Sequence, residues 1–302
     1  MGNNKSVYEM ITEKFINMME AGQIPWHKPW SGVSGIDGGA FNRVTKKAYS
    51  FLNQCLLSKP GEWASFKQWS EAGGKIKKGE KSEFVVFWKI IGAEREREDR
   101  ETGEIVKERV SIPVLRYLPV FHISQVEGVE PLEKTALREI NPIEEAEKIR
   151  QTYAEREPIT IKEQAGDKAY YKPLLDYIVV PKIGQFTSSE EFYSTLFHEM
   201  IHSTGNWKRL NRFDKNTMLA PFGSEDYSKE ELVAEMGSAF LLNHVGIDTE
   251  KTTRNNAAYI QSWLRVLKND TRFVVSAASK AQKAAEYVLE GKKEEEEVID
   301  VA

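Results

Sequence analysis

The residues best suited to chemistry in this chain are His198-Glu199-Met200-Ile201-His202. On a helix, positions four apart share a face, so both imidazoles can reach one divalent cation, with Glu199 beside them to take a proton from an attacking water. The chemistry this spacing serves is metal-assisted hydrolysis. The chain has only five histidines in 302 residues, and two of them flanking a Glu at this interval are hard to obtain from packing alone. The competing explanation is a helix whose histidines are merely packed or hydrogen-bonded. The surroundings read as a helix: Ser188-Ser189-Glu190-Glu191 is a capping signal, Phe192, Leu196 and Ile201 are apolar positions, and Gly205 is a stop.

A cation held this way needs a third protein ligand. A metzincin continuation would place a His at position 208, which is Lys, and His244 falls where a helix-terminal cation is equally reasonable. Glutamate is the better candidate. Glu231-x-x-Ala234-Glu235 resembles the helix of glutamate zincins in which the first acid binds the metal and the second orients a ligating His. If Glu231 were used by a capping box with Ser228, Glu235 would become the ligand, so both remain candidates. Gly237 and Ser238 are small enough to let this helix approach the His-bearing one closely. Tyr227 offers either an oxyanion donor or a packing ring. Zn²⁺ suits the donor set, and Mn²⁺ or Co²⁺ also fits it.

The elements that must position these residues are legible in outline. Apolar spacing predicts a helix over 5–22, strands over 83–91 and 114–123, a helix over 143–155, two or three strands within 158–180, and helices near 188–204, 228–244, 253–268 and 271–290. This is an α+β pattern in two domains: 1–128, a charged linker 129–142, a second domain 143–290, and an acidic tail 291–302. Residues 94–109, with five basic and seven acidic side chains, read as a solvated hairpin or loop excursion. A single cysteine, Cys55, excludes an intramolecular disulfide framework. No run approaches the roughly 20 apolar residues of a membrane span, so no membrane role and a cytoplasmic location are expected.

Net charge is −4, but it is a sum of opposites. Residues 1–128 carry 19 Lys+Arg against 16 Asp+Glu, and residues 129–302 carry 23 against 30. Five of the seven tryptophans lie in the basic part, among cations. Aromatics that stack on bases and cations that track phosphates are the means of binding single-stranded nucleic acid. The candidates are Trp26, Lys28, Trp30, Arg43, Lys75, Lys77, Lys78 and Lys81. A surface Lys run is more often a solvated turn, and at least one of Trp63 and Trp69 is expected in the core.

Several short motifs point the same way. Trp26-x-x-Pro29-Trp30, Phe41-Asn42, Trp63-x-x-Phe66, Gly73-Gly74-x-x-x-Lys78-Gly79-Glu80-Lys81 and Val120-Phe121-His122-Ile123-Ser124-Gln125 resemble the N-terminal domain of ArdC-type antirestriction proteins. Leu196-Phe197-His198-Glu199-x-x-His202-x-Thr204-Gly205, Arg209-Leu210-Asn211-Arg212, Phe222-Gly223-Ser224 and Glu230-Glu231-Leu232-Val233-Ala234-Glu235 are similar to the zincin-like metallopeptidase domain that accompanies it. The resemblance covers about residues 5–270, with Ser50-Phe51 in place of the usual Arg-Gly after Tyr49. It implies a protein of a phage or other mobile element that binds single-stranded DNA and counters host restriction. The expected site is His198, His202 and Glu231 on the metal with Glu199 as general base, acting on a host restriction protein or another protein substrate. The rival keeps DNA binding and makes the metal domain structural or protein-docking.

Overall fold

In the computed structural model, residues 5–27, 39–98, 105–132, 141–213, 224–248 and 257–291 are described. Helix α1 (Val7–Glu20) begins at Ser6, whose hydroxyl accepts from the Glu9 amide while the Glu9 carboxylate accepts from the Ser6 amide. Its Ile11, Phe15 and Met19, each four apart, form one buried stripe. Strand β1 (Ala40–Asn42) pairs parallel with β2 (Gly61–Ala64), and between them lies the short helix α2 (Phe51–Leu56). Helix α3 (Phe66–Glu71) and strand β3 (Lys75–Ile76) lead to a long hairpin of β4 (Glu83–Glu98) and β5 (Ile105–His122). The sheet order is β1-β2-β5-β4, and β3 pairs separately with β6 (Val126–Glu127).

The second half opens with α4 (Pro142–Arg156), capped by Asn141 and with Pro142 in its first turn, where a missing N–H costs nothing. Strands β7 (Thr160–Gln164), β8 (Tyr170–Lys172) and β9 (Tyr177–Pro181) form a mixed sheet ordered β7-β9-β8. Helices α5 (Ser189–Thr204), α6 (Glu225–Val245), α7 (Ala257–Asn269) and α8 (Phe273–Glu290) complete the fold. No helix among the described residues is long and apolar enough to cross a membrane.

One core runs through both halves. Ile11 and Phe15 of α1, Phe51 and Leu56 of α2, and Val86 and Leu115 at the base of the hairpin are packed with residues of α4, α5, α6, α7 and α8. Polar contacts reinforce this: the Thr12 hydroxyl donates to the Thr271 carbonyl at 2.8 Å, and the Phe51 amide donates to the Gln282 side chain at 3.0 Å. The Ser50-Phe51 departure thus has a place, because Phe51 opens α2 and packs its ring against Phe240, 5.5 Å between centroids.

This core corrects one expectation. Trp26 is fully buried, 6.4 Å from the Phe15 ring and 5.5 Å from that of Trp263, so its faces are used by the core and are closed to a base. Lys28 and Trp30 lie outside the described residues. The described parts of the charged segment, 94–98 and 105–109, continue the hairpin and pair in register from Glu94 opposite Arg109 to Glu98 opposite Ile105.

Candidate metal centre

Helix α5 starts at Ser188, whose hydroxyl accepts from the Glu191 amide, and ends at Gly205. His198 and His202 lie one turn apart, their rings 4.7 Å between centroids and nearly perpendicular. Helix α6 faces them. It is capped by Ser224, not Ser228, so Glu231 sits well inside the helix and is not used in capping. The close approach of α5 and α6 depends on Gly237, where an added Cβ would lie 2.9 Å from Ile201 side-chain carbons. Ser238 ties the helices by donating to the Ser194 carbonyl at 3.1 Å.

Across this contact the His198 and His202 Nε2 atoms are 3.1 Å apart, and the Glu231 carboxylate oxygens lie 3.5 Å from the first and 3.3 Å from the second. A tetrahedral site with bonds of about 2.1 Å sets its donors roughly 3.4 Å apart, so these separations are of the size such a cation requires. Two imidazole nitrogens and a carboxylate oxygen also make a suitable donor set for Zn²⁺, Mn²⁺ or Co²⁺. Glu235 lies on the other side of His198, 3.6 Å from Nδ1. His244, in the last turn of α6, stands outside this donor group.

Glu199 is buried on the same helix, and its charge acts on His202. Tyr227 falls within the first turn of α6, where its amide donates to Ser224 Oγ at 3.3 Å.

Two contributors were not singled out by residue spacing. Glu230 Oε1 lies 3.3 Å from His202 Nδ1, and Arg212 holds that carboxylate at 2.6 and 3.0 Å. Arg212 also donates to the Ile201 carbonyl and to the Thr204 hydroxyl, each at 2.9 Å. The segment carrying Arg212 folds back over the end of α5 because Gly205 has no side chain; a Cβ there would sit 2.7 Å from the Phe213 ring. The signal in sequence was the adjacency of Glu230 to Glu231 and the Arg209-Leu210-Asn211-Arg212 run, but nothing in them tells which imidazole each serves.

Burial opposes a charged His202, yet the carboxylates of Glu230 and Glu231 outweigh it and hold its pKa well above the ordinary value. For His198 the same opposition is overcome chiefly by Glu231. Burial pushes the Glu231 carboxyl up, and the two imidazoles reverse that and leave it lowered. The Glu230 carboxyl is likewise lowered, against burial, chiefly by the Arg212 charge.

The nucleic-acid candidates scatter. Arg43 is half-buried, ion-paired with Glu62, bonded to the Glu130 carbonyl at 3.0 Å and placed over the Trp69 ring, so its guanidinium is held by internal partners. Trp63 and Trp69 are both core residues, each indole N–H donating to a backbone carbonyl. Lys75, Lys77, Lys78 and Lys81 are exposed around a turn that Gly79 closes at φ +90°. Lys77 Nζ donates to the Ser124 carbonyl at 2.9 Å.

Residues 5–121 match the family described as the N-terminal domain of anti-restriction factor ArdC, and residues 146–280 match the zincin-like metallopeptidase family. A curated Escherichia coli protein named DNA primase TraC is 35% identical over 301 residues, covering 96% of this chain and 20% of that protein. The chain therefore spans about a fifth of that relative's length. Two crystal structures of the antirestriction ArdC protein from the R388 plasmid are also similar. The metal-free one has a TM-score of 0.72 at 33% identity, the Mn(II)-bound one 0.71 at 31%, and each covers 95% of this chain and 98% of the other.

Proposed function

The chain belongs to the ArdC-type antirestriction family, with an ArdC N-terminal domain followed by a zincin-like domain, and from that premise we propose that it protects entering DNA of a mobile element or phage. In this reading the first domain binds single-stranded DNA and the second is a divalent-metal peptidase acting on a host restriction protein or another protein substrate in the cytoplasm. The observation that carries the peptidase part is the convergence of His198 Nε2 and His202 Nε2, 3.1 Å apart, on the Glu231 carboxylate, with Oε2 3.5 Å from the first and Oε1 3.3 Å from the second.

The cation, when bound, supplies Lewis acidity at a scissile carbonyl. His198, His202 and Glu231 hold it, with Zn²⁺, Mn²⁺ or Co²⁺ as occupants. Glu235 and Glu230 fix the ring orientations of His198 and His202 from the far nitrogens. Glu199 takes a proton from the attacking water and returns it to the leaving amine. For the DNA-binding part, support comes from the exposed lysines around Gly79 and the net positive charge of residues 1–128.

The test is a Glu199→Ala variant, checked for retained metal, in a transformation assay that challenges unmodified DNA with a restricting host. Loss of protection is expected. Full protection with metal still bound would contradict the peptidase reading and leave the metal domain a structural or docking role.

A further inference from the structure

The outer part of the β4–β5 hairpin differs in chemistry from the rest of the surface. Seven of the thirteen large hydrophobic side chains exposed among the described residues belong to this hairpin. Its residues 85–93 and 110–118 contain Lys89 and Arg116 and no Asp or Glu, in a chain of net charge −4. Neither cation has an ion-pair partner among the described residues.

The register sorts these side chains by face. Phe87 is directly opposite Arg116, Lys89 is opposite Val114, and Val85 is opposite Leu118. Directly opposed residues of an antiparallel ladder share a face, so Phe87, Lys89, Arg116 and Leu118 stand together. The lower end of that face, Val85 and Val120, is buried with Trp63. The other face carries Trp88 opposite Leu115 and Tyr117 opposite Val86, and Val86 and Leu115 are buried in the main core. An exposed ring, 39% accessible at Phe87, thus sits beside two unpaired cations on a stretch of ladder, 85–93 paired with 110–118, that carries no acid of its own.

We infer that the face bearing Phe87, Lys89 and Arg116 is a contact surface for single-stranded DNA, with a base on Phe87 and backbone phosphates on Lys89 and Arg116. This inference rests on the single-stranded-DNA reading above and moves the contact away from buried Trp26 and internally bonded Arg43. Charge complementarity selects this occupant: an apolar protein partner would leave two cations without counter-charges, whereas a nucleic acid provides both the counter-charge and the stacking surface.

The experiment is fluorescence anisotropy of the 302-residue chain with labelled oligothymidine of about 15 nucleotides, long enough for the usual site sizes, across a salt series. A Lys89→Ala/Arg116→Ala variant is expected to flatten the slope of log affinity against log salt by about 1.4, two phosphate contacts at about 0.7 each. Phe87→Ala is expected to lower affinity roughly tenfold with the slope unchanged. Trp88→Ala, on the opposite face, should bind as the parent does. Wild-type binding that the Phe87, Lys89 and Arg116 substitutions leave intact overturns this surface alone, as does an equal loss in Trp88→Ala. Unchanged binding together with altered sedimentation would make the arm a protein interface. Wild-type protein that does not bind the oligonucleotide even at low salt overturns the underlying reading.

Discussion

Arg212 grips the Glu230 carboxylate at both oxygens, at 2.6 and 3.0 Å, and so aims Oε1 of that carboxylate at Nδ1 of His202. The support of one imidazole therefore extends to a residue on the far side of the α5 C-terminus. Removing a partner that orients a ligating His typically weakens metal binding by roughly 10–100-fold. Glu230→Gln is expected to lower Mn²⁺ or Zn²⁺ affinity by about that factor, and Arg212→Ala by a comparable or smaller one. Titration calorimetry of the two variants against the parent decides this, and parent-like affinity in both would show the pair to be only structural.

The two acids of α6 should separate cleanly. Glu231 faces both Nε2 atoms, whereas Glu235 lies on the Nδ1 side of His198. Glu231→Gln is expected to abolish stoichiometric metal binding and Glu235→Gln to weaken it by roughly 10–100-fold. Equilibrium dialysis that ranks the two in the opposite order would make Glu235 the ligand.

The elevated imidazole pKa values carry a pH dependence with a definite sign. A His whose folded pKa is raised stabilises the metal-free protein below its unfolded pKa, and this contribution is lost as pH rises through the folded value. Metal ligands must be deprotonated, so the cation competes with those same protons. The melting-temperature gain on adding metal should widen between about pH 6 and about pH 8, with proton release on binding. A gain that shrinks over this range would contradict the assignment of His198 and His202 as ligands.

A buried network stiffens the second half independently of the site. The Arg209 side chain, 1% exposed, donates to Asp176 at 2.8 and 3.2 Å and to the Ser203 carbonyl at 3.0 Å. Breaking such a pair costs about 3–5 kcal/mol because the remaining charge stays buried, and Arg209→Ala is expected to destabilise by that order in denaturant melts. Burial opposes the Asp176 charge, but its bond to Arg209, supported by Tyr171, lowers its pKa. Its stabilising contribution is therefore complete above the ordinary carboxylate pKa of about 4 and fades as pH falls through the lowered value.

Much of the candidate centre was legible because its signal is local. The spacing of His198, Glu199 and His202, the stop at Gly205 and the small residues Gly237 and Ser238 all act within a turn or two of helix. What remained hidden depends on distant partners. Trp26 is surrounded in sequence by the companions of a DNA contact, but its ring meets Phe15 and Trp263 from opposite ends of the chain. The charged segment 94–109 reads equally as a hairpin or a loop excursion, and only the register pairing of residues 94–98 with 105–109 decides for the hairpin. Glu230 differs from Glu231 by one step around a helix, and that step decides which side of His202 it meets.

In the proposed reading His198, His202 and Glu231 together hold one divalent cation. Anomalous diffraction from crystals grown with Mn²⁺ or Zn²⁺ tests it most directly. One peak is expected within bonding distance of both Nε2 atoms and a Glu231 oxygen, and it should vanish in His202→Ala. No peak there, or a peak coordinated by Glu235 in place of Glu231, would contradict the account.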